Sequence, residues 1–179
     1  MRKIVSDICT LMQHIIELNK NPDTYRPDSC CYCGHNKLRR HGYYPRKADR
    51  ENAAEESLNP IMIPRFYCSS CKRTCSVLPE CIPPRRWYLW CMQQACLLLT
   101  LSGKSLRQVE KQTLPSRWTI SRWANRLKEQ FDLHSLHLKS CFSELGYYSL
   151  FERFWKNCLE KISLAKAMLV LNELGVAIP

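Results

Sequence analysis

An α-rich fold with a small β ribbon, a helix-turn-helix core and further C-terminal helices is what this 179-residue sequence predicts, on three observations. Two CxxC pairs bracket short β-leaning stretches. Two short segments, each opened by a serine able to cap a helix, follow across a tight turn. The C-terminal third carries large apolar residues at helical spacing. With 45% apolar residues and only 5 glycines, the chain has the composition of one or two packed modules and not that of a disordered polymer.

Residues 1–25 predict an N-terminal helix with Ile4, Ile8, Leu11, Met12, Ile15 and Ile16 on one face. Asp7, His14 and Glu17 interrupt it, so it does not resemble a secretory signal. The longest apolar run, from Cys91 to Leu101, falls short of the roughly 18 residues a membrane span needs. The expectation is a soluble, cytoplasmic protein with no membrane partner, in which the 12 cysteines are reduced and some hold metal.

Residues 26–82 predict the ribbon. Cys30-Cys31-Tyr32-Cys33-Gly34 and Cys68-Ser69-Ser70-Cys71-Lys72 each have the spacing of a zinc knuckle, in which a tight turn aims two thiolates at one ion. Cys30, Cys33, Cys68 and Cys71 are therefore the expected Zn2+ ligands. Lys37 to Tyr44 and Ile61 to Tyr67 are expected to pair as strands, with a polar loop near residues 49–59 inserted at the tip. Cys75 competes as a ligand, although two complete CxxC pairs already supply four thiolates, and it reads as a small apolar residue in the following strand. His35 and His41 are weaker substitutes. Plain buried thiols and a redox role are the alternatives to metal binding.

Residues 84–131 predict the helix-turn-helix, of homeodomain-like type. Arg86 to Leu101 is apolar on most sides, which marks a buried helix ended by Gly103. Ser105 and Gln108 have the spacing of a capping box for a short helix that buries Leu106 and Val109. After a turn over Gln112 to Pro115, Ser116 opens a helix to about Phe131. There Ile120, Trp123, Ala124 and Leu127 face the core, and Arg117, Trp118, Ser121, Arg122, Asn125 and Arg126 face outward. Basic groups on the free face of a helix with an apolar back suit the major groove of double-stranded DNA.

Charge points the same way. Residues 30–50 carry six basic side chains against one acidic, and residues 104–128 seven against one, so these two stretches hold the whole excess behind the net charge of +11. Arg39, Arg40, Arg46 and Lys47 of the first stretch are the expected phosphate contacts.

The order CxxCG, basic hairpin, Arg-Phe-Tyr-Cys-x-x-Cys-Lys-Arg-Thr, Leu-Pro, Pro-Pro-Arg-Arg-Trp-Tyr, Ser-Leu-Arg-Gln-Val and Thr-Ile-Ser-Arg-Trp resembles the N-terminal region of zinc-ribbon-bearing bacterial insertion-sequence transposases and the small transposase-like proteins related to them. The likeness covers roughly Cys30 to Leu127. It implies zinc at Cys30, Cys33, Cys68 and Cys71, DNA contact around Arg117 to Arg126, and a bacterial, nucleoid-associated location. Where that family has a phenylalanine-like residue after Lys-Arg-Thr, this chain has Cys75. The family's catalytic domain, with three carboxylates holding two metal ions, has no counterpart in the 51 residues from Glu129 to Pro179, which contain a single aspartate. No catalytic residue and no enzyme activity are therefore expected.

Residues 132–179 predict a C-terminal helical tail, with helices over Leu145 to Lys161 and Ser163 to Leu174. Its apolar stripes pack on the core or dock a second copy or a transposase partner. The sequence thus predicts a zinc-dependent DNA-binding accessory, regulator or remnant. The alternatives are a zinc-ribbon protein-interaction module and a non-catalytic subunit of a larger transposase complex.

Overall fold

The computed structural model describes residues 4–48, 57–84 and 88–176, and these divide into two compact units, Met1–Leu89 and Trp90–Pro179. Seven α-helices and two small sheets are present among the described residues. No helix among them is long and apolar enough to cross a membrane.

The first unit opens with strand β1 (Ile4–Val5), then helix α1 (Leu11–Lys20) and a 3-10 turn over Pro22–Tyr25. The expected N-terminal helix is thus shorter than residues 1–25. Thr10 starts it, because its hydroxyl accepts from the Gln13 N–H and the Gln13 side chain returns to the Thr10 N–H. Ile4 and Ile8 precede the helix, and Met12 and Ile16 are exposed; Leu11 and His14 are the buried pair. Hydrogen bonds explain the rotated face. His14 Nε2 donates to the Met62 carbonyl at 3.1 Å, which leaves Nδ1 to accept from the Tyr25 hydroxyl at 2.7 Å. Burial lowers the His14 pKa against the opposing pull of the Met62 carbonyl, which favours the neutral ring.

Strands β2 (Leu38–Arg46) and β3 (Ile61–Cys68) form the expected antiparallel hairpin, extended by β4 (Thr74–Cys75). Most of the expected inserted loop, residues 49–56, lies outside the described residues. Arg40 pairs with Phe66 and Tyr43 with Pro64, so two residues of β2 oppose one of β3. This bulge at His41 and Gly42 uses a positive φ at Gly42, and it switches which face successive β2 side chains occupy. Leu38 therefore joins Ile8, Tyr25, Cys30, Phe66, Cys68 and Cys75 in one apolar cluster. Beyond the bulge Tyr44 packs on a second, formed by Leu11, Ala48, Ile61, Ile63, Leu78, Cys81 and Ile82. Strand β5 (Leu78–Pro79) pairs in parallel with β1.

The second unit begins with α2 (Trp90–Leu101); the preceding residues 85–87, which include Arg86 and Trp87 of the expected helix, lie outside the described residues. Within α2, Trp90, Gln93, Cys96 and Leu97 are buried while Ala95 is exposed. Gly103, at φ +87°, reverses the chain into α3 (Leu106–Gln112). Ser105 and Gln108 form the expected capping box, and Val109 is fully buried, with Leu106 only half-buried. Helix α4 (Arg117–Glu129) follows, and then α5 (Phe131–Cys141), a helix in a stretch for which none was expected ahead of Leu145. A 3-10 turn (Ser143–Leu145) leads to α6 (Phe151–Lys161) and α7 (Leu164–Glu173).

The apolar stripes of α6 and α7 are covered within the unit. Phe154, Trp155, Leu159, Leu164, Met168, Leu169 and Leu171 are buried, with α2 packed on both helices and α5 on α7. Gln94 of α2 ties the α6–α7 corner, where its Nε2 donates to the Leu159 carbonyl at 3.0 Å and its Oε1 accepts from the Leu164 N–H at 2.7 Å. A side-chain amide so placed satisfies backbone groups left open at the end of one helix and the start of the next.

Candidate functional site

In the first unit the two CxxC pairs fold into matching turns. Cys30 donates its N–H to the His35 carbonyl at 2.8 Å, and its own carbonyl accepts from the Gly34 N–H at 2.9 Å. The second pair repeats this, from the Cys68 N–H to the Arg73 carbonyl at 2.9 Å and from the Lys72 N–H to the Cys68 carbonyl at 3.0 Å. Both turns need a positive φ at the residue after the second cysteine, +72° at Gly34 and +61° at Lys72. Only Gly34 is free of steric cost there.

These turns bring Cys30, Cys33, Cys68 and Cys71 together, with all four sulfurs within 4.8 Å of one another. Cys30 Sγ lies 3.5 Å from Cys71 Sγ, and Cys33 Sγ lies 3.6 Å from Cys68 Sγ. A tetrahedron with metal–sulfur bonds of about 2.3 Å has edges of about 3.8 Å, so the cluster can hold a metal ion after small adjustments. Neither His35 nor His41 belongs to it; His41 instead packs against the Tyr67 ring at 5.5 Å.

The thiols are unequally ready for a cation. Burial would raise Cys30, but the N–H groups of Tyr32 and Cys33 and the neighbouring thiols outweigh it and bring the group down to about 6. The N–H of His35 lowers Cys33, whereas burial pushes Cys71 up to about 12. An incoming ion must therefore displace at least the Cys71 proton. Because that proton competes with the metal, affinity rises with pH and is lost as pH falls. A chelator competition at pH 8, 7 and 6 is expected to show metal affinity weakening by at least about tenfold per unit of acidification.

Gly34 holds its positive φ without a side chain. Among the described residues nothing beyond its chain neighbours lies within 4 Å of a Cβ placed on it, so Gly34→Ala tests backbone conformation. The loaded protein should lose about 1 kcal/mol in denaturant melts, whereas Lys72→Gly should leave stability unchanged or slightly raised.

The arginines of the hairpin differ in availability. Arg39 and Lys47 are exposed. Arg40 is paired with Asp23 at 3.0 Å, and Asp23 also accepts from Arg26 at 2.9 Å. Those hydrogen bonds, Arg26 first, hold the Asp23 carboxyl below its usual range. Arg46 is half-buried and donates to the Pro83 carbonyl at 2.6 Å, which anchors the strand end.

In the second unit, α4 presents two unlike faces. Ile120, Trp123 and Leu127 are buried, and Ala124 is half-buried. On the other side Trp118 is 70% exposed, Arg122, Asn125 and Arg126 are exposed, and Arg117 and Ser121 are half-exposed. The Arg117 guanidinium sits 5.5 Å from the Trp118 ring centroid. Ser116 holds the cap position, but its hydroxyl meets Thr119 Oγ1 at 3.2 Å and makes no cap bond to the backbone. Glu110 of α3 does that work instead, accepting the Arg117 N–H at 3.0 Å. A carboxylate is the stronger acceptor, and its charge suits a helix N-terminus. The signal was present in the sequence, because Glu110 is the one acid of residues 104–128.

The chain belongs to the family described as a domain of unknown function (DUF6431), whose model matches residues 30–123, just over half of the sequence. The matched span runs from the first cysteine of the cluster to Trp123 of α4, and takes in both CxxC pairs, α2 and α3. No curated protein and no solved structure matches the chain.

Proposed function

We propose that this member of the DUF6431 family is a zinc-dependent DNA-binding protein of transposase-like type, without catalytic chemistry of its own, acting as an accessory or regulator. Zinc is favoured because four thiolates in a tetrahedral set suit a closed structural Zn2+ site. When bound, the ion would tie the two CxxC turns together and add to the apolar clusters around Phe66 and Ile63. In this reading α3 and α4, joined by residues 113–116, form a helix-turn-helix of homeodomain-like type with α2 behind them. The α4 helix enters the major groove.

The observation that carries the reading is the two-faced surface of α4. Ile120, Trp123 and Leu127 hold the helix to its unit, while Trp118, Arg122, Asn125 and Arg126 are exposed on the other side, with Arg117 and Ser121 half-exposed beside them. Arginine can fork onto guanine and asparagine onto adenine. Arg39 and Lys47 supply phosphate contacts, with Arg40 and Arg46 spending part of their donors on the protein itself.

The test is a gel shift on duplexes selected from a random pool. Arg122→Ala is expected to lower affinity for the selected site by roughly 5- to 150-fold, with no loss of stability. Arg39→Ala should weaken all duplexes alike and flatten the salt dependence by about one phosphate contact. Equal affinity of Arg122→Ala and the parent would remove α4 as the reading helix.

A second reading, self-association or docking of a transposase partner through the C-terminal helices, is favoured by Leu133 and Leu136, exposed one turn apart on α5. Sedimentation of the free chain against Leu136→Lys tests it.

A further inference from the structure

Six cysteines gather at the ribbon, and one tetrahedral ion needs only four of them. The other two are Cys31, which lies inside the first knuckle between Cys30 and Cys33, and Cys75, which lies on β4 alongside β3. Their sulfurs are 3.0 Å apart, closer than the 3.5 and 3.6 Å contacts within the four-cysteine set. The Cys31 N–H points at Cys75 Sγ from 3.3 Å, and Cys75 Sγ stands 3.8 Å from Cys30 Sγ. Cys75 is buried and Cys31 is half-exposed. Closing this gap to a disulfide bond of about 2.05 Å needs a movement of only about 1 Å.

We propose that Cys31 and Cys75 are a peroxide-sensitive dithiol that closes to a disulfide beside the metal centre while the four ligand thiolates stay on the ion. This rests on reading Cys30, Cys33, Cys68 and Cys71 as a metal site. Hydrogen peroxide is the oxidant. The half-exposed Cys31 sulfur attacks one peroxide oxygen, the O–O bond breaks, and the departing hydroxide takes the thiol proton as water. Cys31 is left as the sulfenic acid. Cys75 Sγ then attacks the Cys31 sulfur, the S–O bond breaks, and the hydroxyl leaves with the Cys75 proton as a second water. Two thiols have lost two electrons and two protons, and one peroxide has become two waters. A dithiol reductant reverses the step by thiol–disulfide exchange.

The location gives the bond a consequence. Cys31 moves with the first knuckle, and β4 follows directly on the second, so the disulfide joins the two halves of the metal site covalently. Opening of the site by separation of its two pairs of ligands exposes the ion to a chelator, and the crosslink opposes that opening. Holding both pairs at high effective concentration should slow chelator-driven metal loss by about tenfold.

The experiment uses the full chain loaded with one zinc. It is treated with stoichiometric hydrogen peroxide, its remaining thiols are alkylated, and the crosslink is mapped by peptide mass spectrometry. Zinc is counted on the same sample, and its release to a chelator is timed. The expected result is a Cys31–Cys75 crosslink reversed by dithiothreitol, zinc retained, and slower release. Cys31→Ser should keep one zinc per chain, form no crosslink and lose the slowing. Because Cys31 is half-exposed, this variant tests the idea even if Cys75→Ser fails to fold. Separately alkylated Cys31 and Cys75 in peroxide-treated, zinc-retaining protein would overturn the inference. So would zinc expelled on oxidation, or zinc lost from Cys31→Ser, which would make Cys31 a ligand. Starting protein that takes up no zinc would overturn the metal reading itself, and this inference with it.

Discussion

Replacing Cys68 by serine is expected to weaken metal binding by roughly 100-fold or more and to destabilise the first unit while leaving the helices of the second in place. Cys68 ends β3 and belongs both to the four-sulfur set and to the apolar cluster of Ile8, Tyr25, Leu38 and Phe66. A structural zinc contributes roughly 10–16 kcal/mol of apparent binding energy shared over four ligands. Losing one thiolate should therefore weaken the site by roughly 100-fold or more. The other three thiols would then sit in a partly buried space with no ion to join them. Metal content and near-ultraviolet circular dichroism check the outcome together. Far-ultraviolet helical signal should persist, because Trp90–Pro179 is a compact unit by itself. Simultaneous loss of all structure would show that the second unit depends on the first.

The second large effect separates two tryptophans on one helix. Trp123 is 5% exposed and packs on the same side of α4 as Ile120 and Leu127, so Trp123→Ala should cost about 3–5 kcal/mol by cavity formation and lost burial. That is a large share of the 5–15 kcal/mol by which a domain is usually stable. Trp118, five residues earlier, faces solvent beside Arg117. Trp118→Ala should change stability by no more than about 0.5 kcal/mol, yet weaken DNA binding. Urea melts and gel shifts on the two variants give opposite patterns if α4 has a structural back and a binding front. Matching losses of stability would mean that Trp118 is also part of a core.

Much of this was legible because it depends on local spacing. The CxxC pairs announced their cluster, since a tight turn of that spacing can aim both thiols at one ion. Ser105 and Gln108 announced α3, and the residue-by-residue division of α4 into buried and exposed sides follows from helical periodicity alone. What escaped depends on partners distant in sequence or on breaks without a marker. The pairing of β1 with β5 joins Ile4 to Leu78, and nothing near Ile4 signals it. The choice of His14 over Ile16 as the buried side chain of α1 is made by Tyr25 and Met62. Helices α4 and α5 part at Gln130, at φ −101° and ψ 11°, with neither glycine nor proline to mark the junction. The contact between Cys31 and Cys75 spans 44 positions and required the register of β4 on β3.

The most direct test of the account is selection of bound duplexes from a random pool by the zinc-loaded chain, at low ionic strength and with zinc counted on the same preparation. One zinc per chain and convergence on a single short motif are expected. Arg122→Ala and Asn125→Ala should relax that motif at different positions, and Arg39→Ala should leave it intact. A fully loaded chain that enriches no motif, or that ignores nucleic acid altogether, would contradict it.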